Sequence, residues 1–460
     1  MTEQSERGVS FFCQVKSRAA VILAAGTGTR MKSRIPKVLH RVCGKEMVSL
    51  VIQSAEDAGL GPTYLVVPPN SDPFFKVLGK TVTYVEQTPQ LGSGHALLQT
   101  QNALNGVANV AVLSGDVPLI RPETLTELMH AHMESEASIT ILTSTVSDPR
   151  DLGRILRDDK GQITKIIEEI DTDQNTETIK EVNSGIYVFN TTWLWKNIQN
   201  LQPSNNGEYF VTDLIEMASE QNSKIASHKT SESKEVLGVN NRVQLAESAS
   251  ILQRRIRERH MVDGVTMSDP ETVYIDHDVE IRGDTVIHPN THIGGATTIG
   301  ENCEIGPNTN IESSVIGNEC KIVSSNLENS TLENNVHVGP FSHIRQQSHL
   351  GTGVYIGTSV EIKKSHLGSG TKTNHFSYIG DAAIGANVNI GAGSITCNYD
   401  GKSKNTTVIE EEAFIGCDTM MIAPVTIGAR SITGAGTVVT KDIPPDTMAK
   451  GVPARHEAID

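Results

Sequence analysis

Aromatic residues are scarce in this sequence: nine Phe, eight Tyr and two Trp make up 4% of 460 residues. That scarcity disfavours base stacking or an aromatic cage as the main activity, since both need exposed rings. Long apolar runs are missing too. No stretch approaches the roughly 20 apolar residues that cross a bilayer, and the opening MTEQSERGVSFFCQVKSR lacks the apolar core of a signal segment. Positive charge is in deficit, with 39 Lys and Arg against 54 Asp and Glu and a formal net charge of −15. This balance argues against nucleic acid or an anionic membrane as partner. Phosphorylated small molecules stay open, because a local set of Arg and Lys can act against the global sign. The six cysteines (Cys13, Cys43, Cys303, Cys320, Cys397, Cys417) form no C-x-x-C pair and no metal spacing with His. They read as free thiols in a reducing, cytoplasmic setting.

What is present falls into two halves. The length suggests two domains. Up to about residue 240, short apolar runs alternate with amphipathic stretches. AAVILAAG, TYLVVPP, VAVLSGDVPLI, SITILTS and SGIYVF predict strands, several apolar throughout as parallel strands buried on both faces are. MVSLVIQSAEDAG and RPETLTELMHAHMES between them predict helices, so the first half reads as an α/β layer with a mostly parallel sheet. RVQLAESASILQRRIRERHM, without Gly or Pro, predicts one connecting helix. The expected boundaries are residues 1–240, a helical linker at 241–262, and 263–460.

Beyond the linker, Ile275, Ile281, Ile287, Ile293, Ile299, Ile305 and Ile311 recur every six residues. The pattern resumes with small shifts at Ile316, Ile322, Val338, Ile344, Leu350, Ile356, Ile362, Ile384, Ile390, Ile415, Met421 and Ile427. A helix repeats its apolar stripe at three and four. A period of six fits a short strand and a tight corner, stacked so that each apolar residue enters one continuous interior. The pattern resembles the hexapeptide-repeat proteins, whose fold is a left-handed parallel β-helix. Most of these are acyltransferases, and some use the repeat only as a scaffold.

In the first half, Leu23-Ala24-Ala25-Gly26-Thr27-Gly28-Thr29-Arg30-Met31 follows an apolar strand and leads toward Pro36-Lys37-Val38-Leu39. Glycines after a strand let backbone N–H groups approach phosphate, and an expected helix N-terminus adds its positive dipole end. Arg30 and Lys37 supply charge for a triphosphate. Met31 stands where G-x-G-x-x-G needs its third glycine, and no Gly-Lys-Ser/Thr follows, so the dinucleotide and P-loop motifs are excluded. Taken alone, G-x-G is equally a tight turn with surface basic residues.

G-x-G-T-R-M with P-K-x-L resembles the sugar-phosphate nucleotidylyltransferases. Gln87, Gln90-Leu91-Gly92-Ser93-Gly94-His95-Ala96, Gly115-Asp116-Val117-Pro118-Leu119, Gly153-Arg154-Ile155, Ile167-Glu168-Glu169, Val182-Asn183-Ser184-Gly185 and Gly238-Val239-Asn240-Asn241-Arg242 follow in order. This set is similar to the bifunctional N-acetylglucosamine-1-phosphate uridylyltransferase/glucosamine-1-phosphate acetyltransferase family. The resemblance implies that Leu23, Ala24, Ala25, Gly26, Lys37, Gln87, Gly92 and Ser93 hold UTP. It implies Gly153, Glu168 and Asn183 on the N-acetylglucosamine, Asp116 and Asn240 on Mg²⁺, and Arg30 and Lys37 as catalytic cations. A carboxylate at the end of a parallel strand suits that assignment, since open α/β sheets bind ligands there and hard cations take oxygen ligands.

In the second half, the same family resemblance rests on Glu361-Ile362-Lys363-Lys364, on Thr371-Lys372-Thr373-Asn374-His375-Phe376-Ser377-Tyr378 and on the run 387–401. It implies His375 as the general base, a task that suits a group titrating near neutrality. It implies Arg345 and Lys363 on the phosphate of glucosamine-1-phosphate, with Tyr378, Asn389 and Asn398 on the sugar. Tyr399 would stabilise the oxyanion. Ala392, Cys417 and Ala435 would line an acetyl-CoA groove bordered by Asn398 and Tyr399. The chain departs from its relatives at Cys417, where serine is common, and at Gly451, where some have arginine. A homotrimer with shared acetyl sites is also implied. Two other readings are open: a monofunctional sugar-1-phosphate nucleotidylyltransferase with a structural solenoid, and a non-catalytic regulatory subunit.

Overall fold

The computed structural model describes residues 18–150, 152–169, 172–173, 176–204 and 207–458. Cys13 and the first 17 residues of the segment read as lacking a signal lie outside the described residues. The chain divides into two compact units, residues 1–251 and 252–460.

The first unit is built on one twisted sheet. Its strands run in the order Ile225–Lys229, Ile139–Thr145, Glu181–Asn190, Asn109–Ser114, Arg18–Leu23, Thr63–Val67, Thr83–Glu86. Arg18–Leu23 pairs in parallel with both neighbours. Its alternate residues enter opposite cores: Ala20 and Ile22 join one cluster, Ala19 and Val21 the other. That double burial is why residues 19–22, all buried, are apolar without a break. Glu181–Asn190 is antiparallel to both its neighbours, and the hairpin of Arg154–Arg157 with Ile163–Ile167 is attached to it. The sheet is therefore mixed, and the SGIYVF run belongs to its antiparallel strand.

One helix, Arg242–Val262, covers the stretch without Gly or Pro. No helix among the described residues is long and apolar enough to cross a membrane.

The second unit is a three-sided parallel β-helix, with sheets of 12, 10 and 9 short strands. Every pair between successive rungs is parallel except the final one, Thr447–Lys450 with Arg455–Ala458. The six-residue spacing places apolar residues in vertical columns: Ile275 pairs with Ile293 and Ile293 with Ile311, while Ile281 pairs with Ile299. The apparent gap after Ile322 is filled by Leu327 and Leu332, both buried. Between Ile362 and Ile384 the inward positions are Leu367, Thr373 and Ile379. Corners repeatedly use asparagine with positive φ, as at Asn290, Asn302, Asn308, Asn335 and Asn387, since its short polar side chain tolerates the left-handed region.

Candidate active sites

The first site gathers at the carboxyl ends of the parallel strands. Asp116 follows Asn109–Ser114, and its carbonyl accepts from the Val239 N–H at 2.9 Å. That bond brings the segment before the long helix to the strand edge. The Lys37 ammonium then pairs with Asp116 Oδ2 and donates to Asn240 Oδ1 at 2.9 Å. Two oxygens from distant segments thus converge on one positive charge. Gly28 makes this possible: its φ is +60°, and a Cβ there would lie 2.6 Å from Lys37 Cβ.

The helix expected after the glycine loop does not form. Thr29–Met31 and Lys37–Leu39 are 3₁₀ turns, and the first α-helix begins at Met47. Lys32, in the left-handed region, closes the first turn, and Pro36 precedes the second. The loop therefore offers a ligand its N–H groups and side chains but no helix dipole. Arg30 is exposed and makes no side-chain hydrogen bond or ion pair among the described residues, so its charge is available to a ligand.

The loop after Leu23 is held from both sides. The Gly115 N–H donates to Leu23 O at 3.0 Å, Ala24 N–H to Val66 O at 2.9 Å, and Gln90 Nε2 donates to Ala25 O. Gln87, 3% exposed, donates to Gly92 O at 2.9 Å. Ser93 Oγ accepts from Val211 N–H at 3.0 Å. Gly153, Glu168 and Asn183 are also brought together. The Asn183 N–H donates to Gly153 O at 2.8 Å, and Glu168 Oε2 lies 3.6 Å from where a Gly153 Cβ would sit. Asn183 Nδ2 donates to the Tyr187 hydroxyl at 2.7 Å, whose pKa burial raises. Gln90, Thr212 (a donor to Glu168 Oε1 at 3.1 Å) and Tyr187 were missed by the sequence reading. Only Gln90 lay inside a motif that could have signalled it.

The second site is spread over two corners of the β-helix. At one, His375, Ala392, Cys417 and Ala435 each precede a residue of positive φ: Phe376, Gly393, Asp418 and Gly436. Gly393 N–H donates to His375 O at 3.1 Å, Asp418 N–H to Ala392 O at 2.7 Å, and Gly436 N–H to Cys417 O at 2.8 Å. The four residues therefore stack on successive rungs as one column. His375, Cys417 and Ala435 are exposed. The His375 imidazole has no hydrogen-bond partner among the described residues and meets the Phe376 ring at 6.3 Å. A free imidazole at the foot of a column of small residues is placed to act on a ligand lying along it.

At the other corner, Arg345 pairs with Lys363 in register, and Lys363 with Gly380. Arg345 donates to Glu361 Oε1 through Nε and Nη2 at 2.9 and 2.6 Å. Lys363 is buried. The neighbouring Lys404 ammonium and burial lower its pKa, against the pull of Asp381. The Asn398 carboxamide donates to the Tyr378 hydroxyl at 3.4 Å and to Asp381 Oδ2 at 2.6 Å. Gly380 leaves room for both, since a Cβ there would run into the Tyr378 hydroxyl and lie 2.8 Å from Asn398 Nδ2. The run 398–405 is an outward loop closed by Asn405 N–H on Asn398 O at 2.7 Å. Asp400 ties it together by accepting from the N–H groups of Lys402 and Ser403, which hold its carboxyl well below the usual range. Tyr399 is exposed, and its hydroxyl donates to Gly401 O at 2.8 Å. Asn389 stands apart, on a strand pairing with Lys372 and Phe414. Within one chain the base corner and the cationic corner share no side-chain hydrogen bond among the described residues.

These features define a nucleotidyl transferase joined to a hexapeptide-repeat transferase. The nucleotidyl transferase family matches residues 19–233, and the bacterial transferase hexapeptide family (six repeats) matches residues 406–441. The chain is 45% identical over 437 residues to the bifunctional protein GlmU of Halalkalibacterium halodurans, covering 95% of this chain and 96% of that one. It is 44% identical to that of Heliobacterium modesticaldum, over 94% of this chain and 95% of that protein. The chain belongs to the bifunctional GlmU family, and its second unit is that family's left-handed β-helix.

Proposed function

We propose which residues perform the two transfers of this family. The chain is a bifunctional acetyltransferase and uridylyltransferase that produces UDP-N-acetylglucosamine. The reading rests above all on the convergence of Asp116, Asn240 and Lys37 at the sheet edge.

In acetyl transfer, the sugar amine attacks the thioester carbonyl of acetyl-CoA while His375 takes its proton. The collapse of the tetrahedral adduct releases the coenzyme A thiol, which receives that proton from His375. Arg345 and Lys363 bind the sugar phosphate, Tyr378, Asn389 and Asn398 orient the sugar, and Ala392, Cys417 and Ala435 form the groove floor. Tyr399 can serve the oxyanion only by releasing Gly401 O. Because His375 and Lys363 sit at different corners, a subunit completes its site with residues of a neighbour. The exposed rings of Phe341, Tyr355, Phe376 and Phe414 support self-association, and closed threefold symmetry is the favoured form.

In uridylyl transfer, a phosphate oxygen of N-acetylglucosamine-1-phosphate attacks the α-phosphorus of UTP and pyrophosphate leaves. Gln87, Gly92 and Ser93 with the 23–26 loop hold the uridine side, and Gly153, Glu168 and Asn183 the sugar side. Arg30 and Lys37 stabilise the charge developing on the departing pyrophosphate. Asp116 Oδ2 and Asn240 Oδ1 already converge on a cation, so they fit Mg²⁺, which when bound neutralises phosphate charge. Asp116 and Asn240 would hold the ion through one carboxylate and one amide oxygen, the oxygen chemistry a hard cation takes.

Segments 1–240 and 263–460 carry the two activities, with 241–262 between them. The metabolites UTP and acetyl-CoA, with no disulfide among the described cysteines, support a cytoplasmic location. Pure protein given glucosamine-1-phosphate, acetyl-CoA, UTP and Mg²⁺ should form UDP-N-acetylglucosamine. Omitting UTP should stop at the N-acetyl sugar phosphate, and formation of no acetylated product would refute the reading.

A further inference from the structure

The acetyl-transfer reading leaves one carboxylate without a task. Asp381 stands just beyond Tyr378–Gly380 with φ +51° and a side chain only 9% exposed. Its N–H donates to Lys363 O at 3.0 Å, and its carbonyl accepts from Thr407 N–H at 3.3 Å, so its backbone is fixed between rungs. Oδ2 accepts from Asn398 Nδ2 at 2.6 Å and lies 3.8 Å from Lys363 Nζ, while Oδ1 lies 3.8 Å from Lys364 Nζ.

The chemistry of the pair decides the orientation of the amide. An ionised carboxylate only accepts hydrogen bonds, whereas a carboxamide has one donating and one accepting end. Asn398 must therefore turn its NH₂ toward Asp381, and its Oδ1 faces away from the carboxylate. The contacts to both lysines are longer than hydrogen bonds. Asp381 thus lowers the mutual repulsion of Arg345, Lys363, Lys364 and Lys404 without taking up the ammonium donors.

We propose that Asp381 is a positioning residue of the acetyl-transfer site, orienting Asn398 so that its carbonyl oxygen accepts from the amino sugar and keeping Lys363 charged and free for the sugar phosphate. The inference rests on the reading of Lys363 and Asn398 as sugar-phosphate ligands. It assigns Asp381 no contact with substrate and no proton transfer. A carboxylate serving only to stabilise this corner would affect every substrate and the fold together, whereas a positioning role is confined to the amino-sugar phosphate.

The test is steady-state acetyl transfer by the full-length chain carrying Asp381→Asn or Asp381→Glu. Asparagine keeps the shape but can donate, so Asn398 is no longer held one way. Loss of a hydrogen bond to a charged group corresponds to about tenfold or more. Asp381→Asn should raise KM for glucosamine-1-phosphate by about that factor, with KM for acetyl-CoA and the melting temperature nearly unchanged. Asp381→Glu, which retains the acceptor, should recover part of the loss. Uridylyl transfer from supplied N-acetylglucosamine-1-phosphate should match wild type in both. An unaltered KM for glucosamine-1-phosphate in Asp381→Asn, beside a normal wild type, overturns the inference alone. Both KM values rising together with a lower melting temperature overturn it in favour of a structural carboxylate. A wild-type chain without acetyl transfer overturns the parent reading, and the inference with it.

Discussion

The Lys37 ammonium donates to Asn240 Oδ1 at 2.9 Å, joining residues from opposite ends of the first unit. With Asp116 on the same ammonium, the lysine occupies the point where two cation-seeking oxygens meet. Lys37→Ala should lower uridylyl transfer by about 10²–10³-fold, the scale of losing one charge-stabilising donor. Coupled assays with N-acetylglucosamine-1-phosphate and UTP measure this. Acetyl transfer in the same preparation should stay within about twofold.

Gly28→Ala should disable the same site indirectly. The new Cβ meets Lys37 Cβ at 2.6 Å on a backbone of φ +60°, so either the loop or the lysine must move. Uridylyl activity should fall at least about tenfold while the far-UV spectrum remains folded. Unchanged kinetics would show that the loop relaxes without disturbing Lys37.

Cys417 is the exposed thiol among the described cysteines, whereas Cys303 and Cys320 are buried. Iodoacetamide should label Cys417 first in the folded protein, and acetyl-CoA should slow that labelling. Cys417→Ser should keep acetyl transfer near wild type, since the proposed role of the side chain is only to line the groove. Cys397 and Cys43, both partly covered, are separated from it by peptide mass mapping. Equal labelling with and without acetyl-CoA would contradict the groove assignment.

His260 gives a pH dependence. It is buried in the second unit, its Nε2 has no hydrogen-bond partner among the described residues, and burial with the nearby Arg259 lowers its pKa to about 4. The unfolded imidazole, near 6.5, binds its proton before the folded one. Stability is therefore fully present above pH 6.5 and is lost as pH falls toward about 4. Thermal melting of wild type should fall more steeply across that window than melting of His260→Leu. Parallel curves for the two proteins would count against it.

The β-helix was legible because one apolar residue per short strand must enter the interior, which fixes a period of six. Leu327 and Leu332 escaped the count because that turn is shortened, and Thr373 escaped because an inward threonine looks polar in sequence. Asp116, Lys37 and Asn240 could be nominated from motifs, but that one ammonium joins the other two depends on the Val239–Asp116 backbone bond. The His375–Ala392–Cys417–Ala435 column was named residue by residue without its stacking. The loop at 398–405 breaks the spacing, and only the rung-to-rung hydrogen bonds restore it. Asp381 was illegible for a related reason. Its partners come from rungs before and after it, and no local motif marks that meeting.

The two transfers belong to separate sites that act in succession, with N-acetylglucosamine-1-phosphate released by one and taken up by the other. Purified Asp116→Ala and His375→Ala proteins test this when assayed singly and mixed, from glucosamine-1-phosphate, acetyl-CoA, UTP and Mg²⁺. Asp116→Ala should accumulate the acetylated sugar phosphate, His375→Ala should leave glucosamine-1-phosphate largely unconsumed, and the mixture should make UDP-N-acetylglucosamine. A mixture that stays inactive although each folded variant retains its other site, or a single substitution that abolishes both transfers, would contradict the claim.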